Sequence, residues 1–156
     1  MAGWSELEAE APDLARLARH YLDLRTHKVL ATLRRDGSPR VSGTEIRFAD
    51  GELWLGSMPG ALKARDLQRD PRFALHGGSV EPSEGWDGDA KLAGRVEEIT
   101  DPERRAAVLG AHFRDSHLFR ADILELSVVR VAGEPPDHLV IDAWHAGRGV
   151  SRRERR

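Results

Sequence analysis

Two Asp-Gly dipeptides, Asp36-Gly37 and Asp50-Gly51, punctuate the stretch KVLATLRRDGSPRVSGTEIRFADGELWLGS, residues 28–57. Both residue types tolerate positive φ, so this pair between apolar runs is a strong short-range hairpin signal. Three strand-like runs separated by such turns predict an antiparallel meander. A chain of 156 residues holds one domain, or one domain with modest extensions.

The flanking segments extend it. Residues Pro12 to Thr26 read as a helix, because Leu14, Leu17, Ala18, Tyr21, Leu22 and Arg25 recur at three- and four-residue steps. Pro12 suits a first helical position, where its missing N–H is no loss. Pro59-Gly60 and Pro71 bracket a short helix. RFALHGG follows as a fourth strand, Ser79 to Gly88 as a polar loop, and DAKLAGRVEEI as a fifth strand with Leu92, Gly94 and Val96 on one face. Asp101, Pro102 and Glu103 are the cap, first-position proline and first-turn acid of another helix. ADILELSVVRVAG and HLVIDAWHA give two more strands around the EPPD turn, and GRGVSRRERR reads as a mobile basic ending. The expected fold is mainly β with peripheral helices, a small and mostly antiparallel barrel. Its expected parts are an N-terminal helical segment (1–27), a barrel (28–146) and a basic C-terminal tail (147–156).

Charge and composition narrow the function. A net charge of −2 argues against a nucleic-acid binder, whose affinity comes largely from neutralising phosphates. With no cysteine there is no disulfide, thiolate metal site or cysteine nucleophile. MAGWSELEAEAPDL lacks the basic-then-apolar order of a secretory signal, and no apolar run approaches the roughly 20 residues of a membrane span. The expectation is a cytoplasmic protein with no membrane partner. The histidines form no metal motif: His112 and His117 stand five apart, where four would share a helix face. No Gly-x-Ser-x-Gly elbow or Walker-type loop occurs.

The short helix carries an anomaly. Lys63 and Arg65 crowd its first turns while Asp66 and Asp70 come later, the reverse of what a helix dipole favours. Each misplaced cation costs a few tenths to about 1 kcal/mol if nothing binds there. A phosphate at the exposed N–H groups reverses that sign through charge-assisted hydrogen bonds. Ser57 offers a hydroxyl donor, and Gly56 and Gly60 let the backbone come close. The competing reading is a solvated face on which Asp66 or Asp70 pairs with the two cations. Gly43 adds a second anomaly. Glycine weakens a strand unless a bulge or a close ligand needs the space. Alternation sets Ser42, Thr44, Ile46 and Phe48 against Val41, Gly43, Glu45 and Arg47, and neither face is cleanly apolar.

VLATLRRDGSPRVS, DGELWLGS, LKARDLQRDPRFAL and KLAGRVEEITDPE together resemble the pyridoxamine 5′-phosphate oxidase-like family of flavin-binding split β-barrels, from about Val29 to Glu103. The resemblance implies a homodimer with two flavin sites at the subunit interface. Lys63 matches the lysine that binds the cofactor phosphate, with Ser57 and Gly56 on the preceding strand end. Arg40, Val41, Ser42, Gly43 and Thr44 correspond to the strand whose backbone lines the phosphate and the ring. Leu62 departs from the pattern, because FMN-dependent oxidases usually place arginine there; Arg65 is the nearest substitute. Asp89 stands about where those oxidases use a glutamine, and their C-terminal pyridoxal-binding signature is absent. These losses argue against true pyridoxamine phosphate oxidase activity. SMPGALK is similar to the branch that binds the deazaflavin coenzyme F420.

The implied function is an F420- or FMN-dependent oxidoreductase acting on a small molecule. The alternative is a non-catalytic barrel that sequesters a flavin or a tetrapyrrole. No catalytic acid or base is assigned, since hydride chemistry belongs to the cofactor. Trp54 is expected in packing, and Trp86 over a bound ring. His76 and His145 are weak haem-ligand candidates. Arg148 and the arginines of SRRERR are expected to draw an anion or to be solvated.

Overall fold

The computed structural model describes residues 2–78 and 80–156; Ser79, the expected start of the polar loop, lies outside the described residues. Strands β1 (Lys28–Leu33) and β2 (Pro39–Thr44) pair antiparallel, in register from Lys28↔Thr44 to Leu33↔Pro39. Their connection is longer than a two-residue turn. The Asp36 carboxylate accepts from the Ser38 N–H and hydroxyl, at 3.0 and 2.6 Å, and folds residues 34–38 into the loop. The second Asp-Gly does make the tight turn: Asp50 and Gly51 have φ of 54° and 73° between β3 (Ile46–Ala49) and β4 (Glu52–Ser57).

The expected meander is broken at Glu45. The middle run divides into β2, which pairs with β1, and β3, which pairs with β4. The following elements explain the division. Helix α1 (Trp4–Glu10) and helix α2 (Pro12–Asp23) precede β1, and helix α3 (Leu62–Arg69) and β5 (Arg72–His76) follow β4. Next come β6 (Gly88–Ile99), helix α4 (Pro102–Leu109), β7 (His117–Ala132) and β8 (His138–His145). β5 takes the free edge of β1 and β7 takes that of β4, so each half of the middle run becomes an outer strand. Among the described residues the sheet order is β2-β1-β5-β6-β7-β4-β3, with β8 joined to β7. The sheet curls until β2 approaches β4.

The inner face is a continuous apolar core. Leu30, Leu55, Leu75, Leu92, Phe119 and Leu126 are buried there, each contributing about 1.5–3 kcal/mol by leaving water. β6 and β7 pair along their length with an irregularity at Ala93/Gly94. A Cβ on Gly94 would lie 2.0 Å from the Asp122 carbonyl oxygen, so this close approach requires glycine. Helix α2 ends at Asp23 rather than Thr26 and buries its predicted stripe through Leu14, Ala18, Tyr21 and Leu22. α1 is an addition to the expected elements. It buries Trp4 edge-on to Phe48, with ring centroids 4.7 Å apart, and buries Leu7.

The basic ending is a correction. Gly149–Arg155 is strand β9, paired with β8 from Leu139↔Arg155 to His145↔Gly149. Asp142 anchors it, accepting from Arg152 Nε and Nη2 at 2.6 and 2.9 Å and from Arg130 at 3.0 Å. Composition alone, dominated by arginine, concealed a strand in which Arg152 has a partner across the ladder. No described helix is long and apolar enough to cross a membrane.

Candidate functional site

The break at Glu45 leaves a cavity of about 410 Å³ where the end of β2, the start of β3, the end of β4 and α3 meet. Gly43, Thr44, Gly56, Ser57 and Lys63 line it among the sequence-derived site residues. Lys63, in the first turn of α3, points back to β2 and donates from Nζ to the Gly43 carbonyl at 2.6 Å. Partial burial lowers the Lys63 pKa, because the ammonium loses hydration without gaining a compensating charge. Among the described residues no carboxylate pairs with it.

The two acids of α3 are engaged elsewhere. Asp66 is 3 % exposed and accepts from Arg40 at 2.7 Å, Thr32 at 2.8 Å and Arg69 at 2.9 Å. Burial raises its pKa, but these three donors outweigh burial and leave it below the ordinary carboxylate value. Asp70 is bound by Arg72 at 2.6 Å, which holds its pKa down to about 2. The Asp66 and Asp70 pairs on which the solvated-face reading depended are therefore formed with Arg40, Arg69 and Arg72.

Ser57 supplies the second feature. Its residue is 9 % exposed, and its Oγ is buried with no hydrogen-bond partner. A hydroxyl left so costs free energy that a ligand acceptor restores. The third feature is Gly43: the β1–β2 register runs through Val29↔Gly43, and a Cβ at this position would meet nothing within 4 Å. Space stands open beside the carbonyl that holds Lys63. A cation, an unsatisfied hydroxyl and an open strand edge thus stand along one cavity.

The remaining sequence-derived residues sit apart from it. Arg40 is turned to Asp66. Val41 is 69 % exposed on the outer face of the sheet. Neither Ser42 nor the exposed Arg65 is among the described residues lining the cavity, and the same holds for Trp86 and Asp89. His76 contacts the Gly77 carbonyl through Nδ1 at 2.6 Å, and His145 stands 3.5 Å from Glu125. Trp54 packs in a small buried cluster with Val108 and Leu118 and donates to the Ala49 carbonyl at 3.0 Å, while also facing the cavity.

Among the other lining residues, Glu45, Ile46 and Arg47 lie on the strand whose mixed faces the sequence flagged, whereas His27, Leu109 and Phe113 had no signal there. Ile46, Leu109 and Phe113 form an apolar wall, and His27, Glu45 and Arg47 form a polar one. Leu109 and Phe113 come from and follow α4, which reaches the cavity by packing on the outer face of β4. His117, opposite Ser57 in the β4–β7 register, bonds Glu98 through Nδ1 at 2.7 Å and accepts the Gly60 N–H on Nε2 at 3.1 Å. Among the described residues no group of three or more acidic or histidine side chains converges as a metal site.

The family model for pyridoxamine 5′-phosphate oxidase matches residues 18–134. No curated protein sequence matches the chain. Among solved structures, PhzG from Burkholderia lata 383, in complex with tetrahydrophenazine-1-carboxylic acid, aligns over 98% of this chain and 93% of its own. Its TM-score is 0.64 at 11% identity. An F420 reductase aligns over 69% of this chain and 94% of its own, with TM-score 0.53 and 22% identity. A heme binding protein from Mycobacterium smegmatis aligns over 88% and 85%, with TM-score 0.56 and 15% identity. At these identities the likeness is one of fold, and the fold is the split β-barrel expected from the sequence.

Proposed function

The chain belongs to the pyridoxamine 5′-phosphate oxidase family, and from that premise we propose that it binds F420 or FMN as a cytoplasmic homodimer and acts as an oxidoreductase on a small molecule. The observation that carries this reading is the corner formed by Lys63, the unpartnered Ser57 hydroxyl and the open edge at Gly43. These residues fit the phosphate end of a flavin-type cofactor, with the first N–H groups of α3 adjacent. Gly56 and Thr44 complete the cradle at the strand ends. Arg40, Val41, Ser42 and Arg65 contribute through the strand and helix that carry the cradle rather than from its lining.

When bound, the cofactor supplies hydride chemistry. The chain's own residues bind, orient and exclude water. Lys63 offsets the phosphate charge, and a partly desolvated ammonium does so more strongly than an exposed one. Ile46, Trp54, Leu109 and Phe113 give the apolar surface against which a flat ring packs. Arg47, which has no ion pair among the described residues, stands on the polar wall where an anionic substrate group would be oriented.

The second copy is supported by the outer face of β1 and β2. Val29 and Val41 are 41 % and 69 % exposed there, beside Ala31 and Ala74 in register. Such a contiguous surface of small and apolar residues suits an isologous interface.

A binding barrel without turnover is the second reading, prompted by the heme binding protein of similar fold. Equilibrium titration with FMN and with F420, followed by fluorescence, tests binding. Bound cofactor that neither NADPH nor any oxidant alters would favour this second reading, and binding of neither coenzyme would overturn the first.

A further inference from the structure

His117 makes two hydrogen bonds that specify its tautomer. Nε2 accepts the Gly60 N–H at 3.1 Å, so it carries no proton, and Nδ1 then donates to Glu98 Oε1 at 2.7 Å. The Gly60 bond matters because of where Gly60 stands. It follows Pro59, which has no N–H, and has a φ of 72° in the turn between β4 and α3. Inside that turn Ala61 N–H reaches the Met58 carbonyl at a long 3.2 Å, so His117 is its outside anchor. Three residues later comes Lys63.

Glu98 extends the hold to the other end of the same helix. Its second oxygen accepts from Gln68, in the last turn of α3, at 2.9 Å. Arg105 of α4 stands 3.4 Å from the oxygen that faces His117. One carboxylate therefore fixes both ends of α3 and touches the helix that supplies Leu109 to the cavity. Burial pushes the Glu98 pKa up, and the bonds from His117 and Gln68 bring it below its ordinary value.

We propose that His117 is a positioning residue whose Nε2 acceptor, oriented by Glu98, sets the Met58–Ala61 turn, and with it Lys63, for phosphate binding. The proposal rests on the reading of Lys63 as the phosphate ligand. A second proton on His117 would place an N–H donor against the Gly60 N–H donor, and the turn would lose its anchor. The charged groups facing the ring are Glu98 from β6 and, through Glu98, Arg105 from α4; α3 offers neutral Gln68, and β4 offers Ser57.

The test combines a backbone probe with ligand titration. In uniformly 15N-labelled free protein, hydrogen exchange of the Gly60 amide is measured in wild type, His117→Gln and His117→Phe. FMN and F420 are each titrated into the same three proteins. Glutamine keeps a carbonyl acceptor within reach of the Gly60 N–H, and phenylalanine keeps the ring without an acceptor. The expected result is a Gly60 amide protected in wild type and His117→Gln and exchanging faster in His117→Phe. His117→Phe should lose about tenfold in coenzyme affinity, and His117→Gln should restore most of it. Equal Gly60 exchange in wild type and His117→Phe, or equal affinity in the folded His117→Phe, would overturn the proposal. Binding of neither coenzyme to wild type would overturn the cofactor reading, and the Gly60 amide would then decide the anchor by itself.

Discussion

Lys63 Nζ donates to the carbonyl oxygen of Gly43 at 2.6 Å, joining the start of α3 to the end of β2 across the break in the sheet. The acceptor is neutral, so the bond orients the ammonium without spending its charge. The two acids of this segment are matched elsewhere: Asp66 by Arg40 and Arg69, and Asp70 by Arg72. The misplaced charge in the first turn is aimed rather than paired, which is the arrangement an incoming anion needs.

Ser57→Ala separates a site residue from a structural one. The buried Oγ has no partner, so its removal should change unfolding free energy by no more than about 0.5 kcal/mol, or stabilise slightly. Affinity for the preferred coenzyme should fall about tenfold. Urea denaturation and fluorescence titration on the same variant check both halves. A large loss of stability with unchanged affinity would assign Ser57 to the fold.

Asp66→Asn should destabilise by about 1–3 kcal/mol, because an amide cannot accept from all three of Arg40, Arg69 and Thr32. The same geometry sets an acid limb. Carboxylates with pKa lowered on folding contribute stability that is fully present above their unfolded value of about 4. That contribution is lost as pH falls through the folded value. Asp66, Glu98 and Asp142 are lowered, and Asp70 is lowered to about 2. Urea midpoints should thus hold from pH 7 to about 4 as far as these groups are concerned, then decline towards pH 2, less steeply in Asp66→Asn.

Gly94→Ala should cost about 1–3 kcal/mol or more, since the new methyl would stand 2.0 Å from the Asp122 carbonyl and backbone must shift. Gly43→Ala, with nothing within 4 Å, should leave stability nearly unchanged. Thermal unfolding of the two variants makes the comparison directly.

Much of this architecture was readable from local chemistry. Asp50-Gly51 made the turn its φ preferences require, and Asp101 caps α4 by accepting the Arg104 N–H at 2.9 Å. One failure was local, since Asp36 binds Ser38 and opens the first Asp-Gly turn into a longer loop; the others were non-local. Nothing near Glu45 announces that β5 and β7 will occupy the edges that a meander needs. Trp4 and Leu7 sit in a short acidic segment whose helix exists because the core accepts two side chains. β9 looked like a charged tail because Asp142, which orders Arg152, lies ten residues away on another strand. At the site, Lys63 and Gly43 stood out through anomalies of their own positions, and Ser57 as a hydroxyl just ahead of the helix. His117 did not, because its role arises from the β4–β7 register and from Glu98.

Titration of FMN and F420 into wild type and Lys63→Ala is the most direct examination of the cofactor reading. Wild type should bind one of them, and the variant should lose roughly 1.5–3 kcal/mol of that affinity, about 10- to 150-fold, with its unfolding transition intact. Equal affinity in the folded variant, or binding of neither coenzyme to wild type, would contradict it.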